Sequence, residues 1–413
     1  MPNIDTSALK RDLLLRGVWE GLGTPECHLT GGYVRDLLLG RESADLDLVL
    51  PGDLDAVRGP ARRLAARLDA GAHVLGRDEK RVWRIETPSL KVELWPLGSL
   101  DLGSDIRRRD FTCNALMWQM PDGPLIDQVG GITDLETGTL RAVKKSNLER
   151  DPVRLVRAAR FLAQFPDFEI DQTTAGWLRS LASRVLRSPS ERLGQELLKL
   201  VAASDLERGF RALLDFGLMQ HMVRPAARFD DAWMTANLDA ATRMQLSTHP
   251  SRAALAAAGD AAPLAMLLRA WGSPHPDATA PYAWPRSLRT HAALAAQLLD
   301  QVIPAVDGPV GNRRALIHRA GHAFPAALAF AAAIEPEHNW DRWWRLWRQR
   351  GPELVDPEPL LSGNEMSAAL GIPPGPSLGR AIDALTKAQV RGKIHTAGGA
   401  RRWLKKNVET LER

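Results

Sequence analysis

Two rhythms of apolar and polar positions divide the chain. Up to about residue 135, short alternating runs recur: DLDLVL (45–50), AHVLG (72–76), RVWRIET (81–87), LKVELWPL (90–97), FTCNALMWQM (111–120) and LIDQV (125–129). Alternation with period two marks a strand that buries one face. After about residue 140 strand signals almost vanish. From SNLERDPVRLVRAARFLAQF (146–165) onward the spacing is helical to the end. Proline- and glycine-rich joints interrupt it near AARFDDAW (226–233), WGSPHPDATAPYAWP (271–285) and RGPELVDPEPLLSG (350–363). The pattern predicts an α+β chain: a mixed head, then an all-helical body in two or three pieces, with no internal repeat.

Within the first rhythm, LTGGYVRDLLLGRESADLDLVL (29–50) carries polar residues that a plain core segment does not need. Side chains alternate along a strand, so Asp45 and Asp47 emerge on one face a few ångströms apart. Carboxylates that close repel unless a proton or a cation lies between them. Hard oxygen ligands on a rigid strand suit Mg²⁺, which keeps waters and substrate phosphates in its shell. A lone D-x-D reads more often as the solvated face of an edge strand. Here, however, the extended run CHLT leads into Gly31 and Gly32, then a short helix closed by Gly40. The two glycines can bring backbone N–H groups close to an anion, and Arg35 adds a fixed charge. Strand, glycine turn, helix and D-x-D strand together describe a triphosphate cradle beside a metal site.

Later segments supply candidate partners. KVEL (91–94) places Glu93 in an extended run, either as a third acid from a neighbouring strand or as an exposed strand glutamate. DIRRRDFTCNAL (105–116) sets Arg107, Arg108 and Arg109 before Asp110, with Asn114 beyond; the arginines suit a triphosphate, or simply solvent. In RDPVRLVRAARF (150–161), Arg154, Arg157 and Arg160 recur every three residues, with Arg150 and Asp151 one turn earlier and Pro152 in the first turn. That spacing lays Asp151 and the arginines along one stripe, able to face a base and its phosphates or to form a salt-bridged surface. In WDRWWRLWRQR (340–350), Trp340, Trp343, Trp344 and Trp347 share a helical face, read as a buried tryptophan face with wet arginines rather than a base-stacking platform.

Composition adds bounds. The chain has 413 residues, 45% hydrophobic and 25% charged, and 54 basic against 49 acidic residues give a net charge of +5. That is compatible with a nucleic-acid partner without demanding one. Cys27 and Cys113 show neither disulfide nor zinc spacing, which makes a reducing cytoplasm the expectation. No signal peptide and no apolar run of membrane-spanning length is legible. There is no Walker loop, no CxxC pair and no His-Asp dyad, so a hydrolase reading has little support.

GGYVRDLLLG…DLDL, RRRDFTCNAL, DQVGGITDL, RDPVRLVRAARF and SPSERLGQELLKL resemble, in order, the five successive motifs of the class II tRNA nucleotidyltransferases, which include CCA-, CC- and A-adding enzymes and bacterial poly(A) polymerases. The resemblance implies a polymerase-β-like head over 1–138, then a helical neck (139–200), body (201–352) and tail (353–413). It implies Mg²⁺ held by Asp45 and Asp47, with Glu93 as the third catalytic acid. Gly31, Gly32, Arg35, one of Arg108 or Arg109, Asp110 and Asn114 would lie at the nucleotide. Asp151 and Arg154 would pair with the incoming base as an amino-acid template, with Arg157 and Arg160 on the phosphates. Ser190, Glu191, Arg192 and Glu196 would brace the neck helix. The segment 360–394, with its GIPPGPSLG turn, resembles the tail common in bacterial tRNA nucleotidyltransferases.

Two departures qualify the likeness. Arg150 stands where the family has a glutamate before the template aspartate, with Glu149 one place early. The stretch WPLGSLDLGSD (95–105) is short where CCA-adding relatives carry a flexible loop that re-shapes the pocket from CTP to ATP. Its absence marks CC-adding enzymes. The implied reaction is addition of CMP from CTP to the tRNA acceptor end, stopping at CC and leaving the final A to a separate enzyme. Complete CCA addition, addition of A from ATP, and an inactive tRNA-binding module are the alternatives.

Overall fold

The computed structural model describes residues 4–24, 26–76, 81–222, 229–245, 254, 257, 259–272 and 282–411. Parts of two expected joints, 226–228 and 273–281, lie outside the described residues. The chain divides into two compact units, one formed by residues 1–188 with 215–221 and the other by 189–214 with 222–413.

The first unit is built on a seven-stranded sheet of β1 (His28–Thr30), β2 (Asp45–Leu50), β3 (Ala72–Leu75), β4 (Val82–Glu86), β5 (Lys91–Pro96), β6 (Met117–Gln119) and β7 (Leu125–Ile126), in the order β3-β4-β5-β2-β1-β6-β7. Only β2 and β5 run parallel; the other neighbours are antiparallel. A parallel pair needs a long crossover, and the helix Leu54–Arg67 with the β3–β4 hairpin supplies it. Leu46, Leu48 and Leu50 on β2 are buried, as the alternation required, and so are Val57, Ala61 and Leu64 on the crossover helix.

The run FTCNALMWQM is not one strand. Thr112–Asn114 form a 3₁₀ turn, and only Met117–Gln119 enter the sheet. Local side chains explain the break: Thr112 Oγ1 donates to Asp134 Oδ2 at 2.6 Å and Asn114 Nδ2 donates to Asp110 Oδ1 at 3.1 Å, which holds the backbone in a turn. The two-residue strands β8 (Thr139–Leu140) and β9 (Glu169–Ile170) form a small parallel ladder, one strand of which falls where a purely helical run was expected.

The helix Val153–Gln164 takes the expected stripe. Val153, Leu155, Val156, Ala159 and Phe161 are buried, and Arg154, Arg157 and Arg160 share the less buried side. Phe161 meets Phe111 edge to face at 5.5 Å, which joins this helix to the segment that carries the arginine run.

In the second unit all described regular elements are helices. Its centre is Phe324–Ile334, apolar on every side and buried from Phe324 to Ala333, as a fully enclosed helix must be. The tryptophan-rich segment becomes the helix Asp341–Val355. Trp340 and Trp343 are buried, each with its indole N–H satisfied, by Glu335 O at 2.7 Å and Val306 O at 3.2 Å. Trp344 and Trp347 are half-buried, while Arg345, Arg348 and Arg350 face solvent. Further on, Ser362 and Glu365 form a capping box at the start of Gly363–Leu370, and that helix packs with Pro376–Val390 and Ala397–Leu411 around Met366, Leu378, Leu385 and Leu404. Among the described residues no helix is long and apolar enough to cross a membrane.

Phe111→Ala would open a cavity between the sheet unit's turn and Phe161, and should cost about 3–5 kcal/mol of stability. Urea denaturation followed by circular dichroism measures it.

Candidate active site

The site starts from the register of β2. Against β1 it opposes Asp47 to Thr30, and against β5 it opposes Asp45 to Lys91 and Asp47 to Glu93. β4 then sets Arg84 opposite Glu93 and Glu86 opposite Lys91. Directly opposed residues share a face, so three neighbouring strands present a lattice of Asp45, Asp47, Lys91, Glu93, Arg84 and Glu86 on one side. The three acids singled out from the sequence are thereby brought together. With them come two cations that the sequence reading passed over, although the same alternation in RVWRIET and LKVEL pointed to both.

Asp45 is the exposed member, its Oδ1 3.4 Å from Lys91 Nζ, and that ammonium is also 3.7 Å from Glu93 Oε1. Glu93 is largely buried; its Oε1 accepts from Arg84 Nε at 3.1 Å and again from Arg84 Nη2. Asp47 accepts at Oδ1 from Trp95 Nε1 at 3.3 Å. Burial, and then the neighbouring Glu93 charge, push the Asp47 carboxyl up to about 6, against the pull of Arg109, the Trp95 hydrogen bond and Lys91. A carboxyl driven toward protonation beside other acids is the electrostatic complement of a cation. Asp45 and Asp47 offer hard oxygens on one strand face, which fits a divalent ion such as Mg²⁺. Among the described residues no three His, Cys, Asp or Glu side chains converge as a complete ligand set, so water or phosphate oxygens would fill the remaining positions.

Gly31 is required on two counts. Its φ is +75°, and a Cβ there would stand 2.8 Å from Asp47 Oδ2. The glycine thus sets bare backbone against the Asp47 carboxylate. Gly32 opens the short helix Gly32–Leu38.

Arg35 occupies a different place from the one its charge suggested. It is buried, donates to both oxygens of Asp36 at 2.9 and 2.8 Å and to Asn114 Oδ1 at 2.5 Å, and lies over the Phe165 ring at 4.8 Å. Asn114 passes the chain on to Asp110, whose Oδ1 also accepts from the Phe111 N–H at 2.8 Å and whose Oδ2 accepts from Arg157 Nη1 at 2.8 Å. Burial alone would raise the Asp110 carboxyl, but the Arg157 and Arg154 guanidinium groups and these hydrogen bonds outweigh it and hold it far below the usual carboxylate range. Arg35, Asn114, Asp110 and Arg157 therefore form one hydrogen-bonded relay from the glycine turn to the arginine helix, buried up to Asp110 and half-buried at Arg157.

The arginine run docks through its backbone on that helix and on the preceding one, Lys145–Arg150. Asn147 Nδ2 donates to the Arg107 and Arg109 carbonyls at 2.9 and 2.8 Å, and Arg154 Nη1 donates to the Arg108 carbonyl at 2.9 Å. Buried Asp105 takes Arg108 Nε and Arg109 Nη2, both at 2.7 Å, and these guanidinium groups offset its burial and hold its carboxyl low. Arg108 is the more exposed of the two, at 43% against 20%. Asp151 Oδ2 lies 3.8 Å from Arg154 Nε, at the start of the helix. Arg160 donates to Gln164 Oε1 at 2.7 Å and covers the Phe161 ring at 4.1 Å. Arg150 is exposed, and Glu149 lies 3.7 Å from Arg184 Nη1. Asp105, Asn147 and Trp95 support the site without having stood out in the sequence, because nothing but the fold brings them to it.

A seven-stranded head with a D-x-D strand, a glycine turn against it and an arginine helix docked beside it defines a nucleotidyltransferase head. Residues 27–141 match the Poly A polymerase head domain, and residues 167–229 match the probable RNA and SrmB-binding site of polymerase A. The chain is 30% identical to the A-adding tRNA nucleotidyltransferase of Deinococcus radiodurans, over 93% of this chain and 96% of that one. It is 29% identical to the CC-adding tRNA nucleotidyltransferase of a Synechocystis strain, over 90% and 91% of the two chains. Its fold is similar to that of the Bacillus stearothermophilus CCA-adding enzyme in complex with CTP, with a TM-score of 0.71, 20% identity, and 97% and 98% of the chains covered. The chain belongs to the tRNA nucleotidyltransferase and poly(A) polymerase family and is a nucleotidyltransferase.

Asp110→Asn removes the charge that Arg157 and Arg154 face, and should cost about 3–5 kcal/mol at neutral pH. Because the folded-state carboxyl is depressed, its contribution is fully present above about pH 4 and is lost as pH falls below that. Denaturation midpoints measured across pH 3–7 should therefore fall less steeply on the acid side in the variant than in the wild type.

Proposed function

We propose that this chain is a tRNA nucleotidyltransferase that adds CMP residues from CTP to the tRNA 3′ end without a nucleic-acid template and stops at CC. The observation that carries the stop is the connection after β5. Only residues 97–101 separate Pro96 from the helix Leu102–Arg107. They are tied down as well: Leu97 N donates to Leu50 O at 2.8 Å, Gly98 N to Gly52 O at 2.9 Å and Leu100 N to Leu97 O at 3.2 Å. A segment so short and so bonded lacks the slack of the flexible loop with which CCA-adding relatives change from CTP to ATP. A separate A-adding enzyme would then complete the end.

The reaction is an in-line displacement. The tRNA 3′-hydroxyl oxygen bonds to the α-phosphorus of CTP, the hydroxyl proton departs, the bond to the bridging oxygen breaks and pyrophosphate leaves. Asp45 and Asp47 would hold Mg²⁺, whose charge offsets that developing on the α-phosphate and the leaving group. Glu93, fixed by Arg84, stands beside them as the third acid. Gly31 and Gly32 keep the phosphate approach free of side chains, and Arg108 extends from Asp105 toward the nucleotide. Asp151 can accept from the cytosine amino group, while Arg154, its position set by the Arg108 carbonyl, donates to the cytosine carbonyl and ring acceptor. Uracil and guanine do not offer that edge. Arg157, Asp110, Asn114 and Arg35 hold the arginine helix in place from behind, and Arg160 lends positive charge along it.

A second reading, addition of A from ATP, is favoured by the full-length likeness to the Deinococcus radiodurans enzyme.

Asp45→Ala and Asp47→Ala should each abolish incorporation of labelled CTP while the thermal unfolding curve keeps its shape; near-normal activity in either would refute the metal assignment. Purified protein offered tRNA ending at the discriminator base, at C or at CC should extend the first by two residues with CTP. It should leave tRNA-CC unextended with ATP, as read on a sequencing gel. Efficient addition of A to tRNA-CC would overturn the stop at CC, in favour of complete CCA addition if CTP is also used and of the second reading if it is not.

A further inference from the structure

On the acid face, Lys91 stands where a divalent ion would have to compete with it. The parallel register sets Lys91 beside Asp45, and its ammonium lies 3.4 Å from Asp45 Oδ1 and 3.7 Å from Glu93 Oε1. Glu93 does not depend on it, because Arg84 already holds that carboxylate through two nitrogens. Glu86, opposite Lys91 on β4, is the remaining charged neighbour in the register. The lysine stem is flexible and its side chain 31% exposed, so the ammonium is free to swing toward solvent. We propose that Lys91 is a resident counter-ion of the acid face. It neutralises Asp45 and opposes a divalent ion there, so the ion binds weakly by itself and is retained once triphosphate oxygens add their charge. Lys91 thus acts as a positioning residue that couples metal retention to nucleotide arrival. This rests on the reading of Asp45 and Asp47 as metal ligands.

The physical basis is Coulombic. A unit positive charge within a few ångströms of a bound cation weakens binding substantially even when solvent screens part of it. Removing that charge without removing the side chain's bulk should therefore tighten the site.

Trp95, hydrogen-bonded to Asp47, supplies a reporter, because an indole next to the site can sensitise Tb³⁺ luminescence. Full-length protein titrated with Tb³⁺ should show a tryptophan-sensitised signal that Mg²⁺ displaces and that Trp95→Phe diminishes. In Lys91→Met the titration midpoint should fall about tenfold. Lys91→Arg, which keeps the charge, should retain the wild-type midpoint. An unchanged or higher midpoint in Lys91→Met would overturn the proposal while leaving the metal site intact. A wild type with no Mg²⁺-displaceable signal would instead overturn the assignment of Asp45 and Asp47, and the proposal with it.

Discussion

The sheet unit depends on one buried charge, the carboxylate of Asp110. An ion taken out of water is tolerated only when its lone pairs are satisfied and an opposite charge is close. Here Phe111 N–H, Asn114 and Arg157 meet those needs, and Arg35 carries the relay on to Asp36. Three segments far apart in the chain must therefore assemble together. The glycine-turn helix, the turn after the arginine run and the arginine helix cannot shift separately without exposing one of these charges to an apolar surrounding. The aromatic rings of Phe161 and Phe165 close the space around Arg35.

That constraint explains how a short polar segment becomes a rigid platform. The carbonyls of Arg107, Arg108 and Arg109 are capped by Asn147 and Arg154, so the arginine run is held by its backbone. Asp105 gathers two of those side chains beneath it. Repulsion between consecutive guanidinium groups is thereby offset locally. The acid face is arranged on the same principle with the signs reversed, Lys91 and Arg84 compensating Asp45 and Glu93, while at Asp47 the pull of Arg109, Trp95 and Lys91 does not outweigh burial and the Glu93 charge. Asp47 is also the carboxyl against which Gly31 presses its backbone.

In the second unit the same division between buried and wet surfaces serves packing rather than chemistry. Trp343 and Trp347 pack beside Phe324, and Trp343 stacks on that ring at 5.9 Å. The indole nitrogens of Trp340 and Trp343 find backbone carbonyls, as those of buried tryptophans usually do. Arg345, Arg348 and Arg350, farther along the helix, stay at the surface.

The sequence by itself determined the two rhythms, hence the mixed head and the helical remainder, because residue periodicity is a local property of strands and helices. It also determined the D-x-D face and the stripe of Arg154, Arg157 and Arg160, each fixed by spacing along one element. Tertiary structure alone decided what those charges do. Arg35 looked like a phosphate ligand and is enclosed by Asp36, Asn114 and two aromatic rings, since burial depends on contacts from distant segments. Lys91 and Arg84 looked like ordinary strand residues and lie in the acid face, because register between strands is set by pairing across the sheet and not by either strand alone. The break of FTCNALMWQM into a turn and a strand has the same origin: Thr112 is drawn to Asp134, which comes to it only in the folded chain.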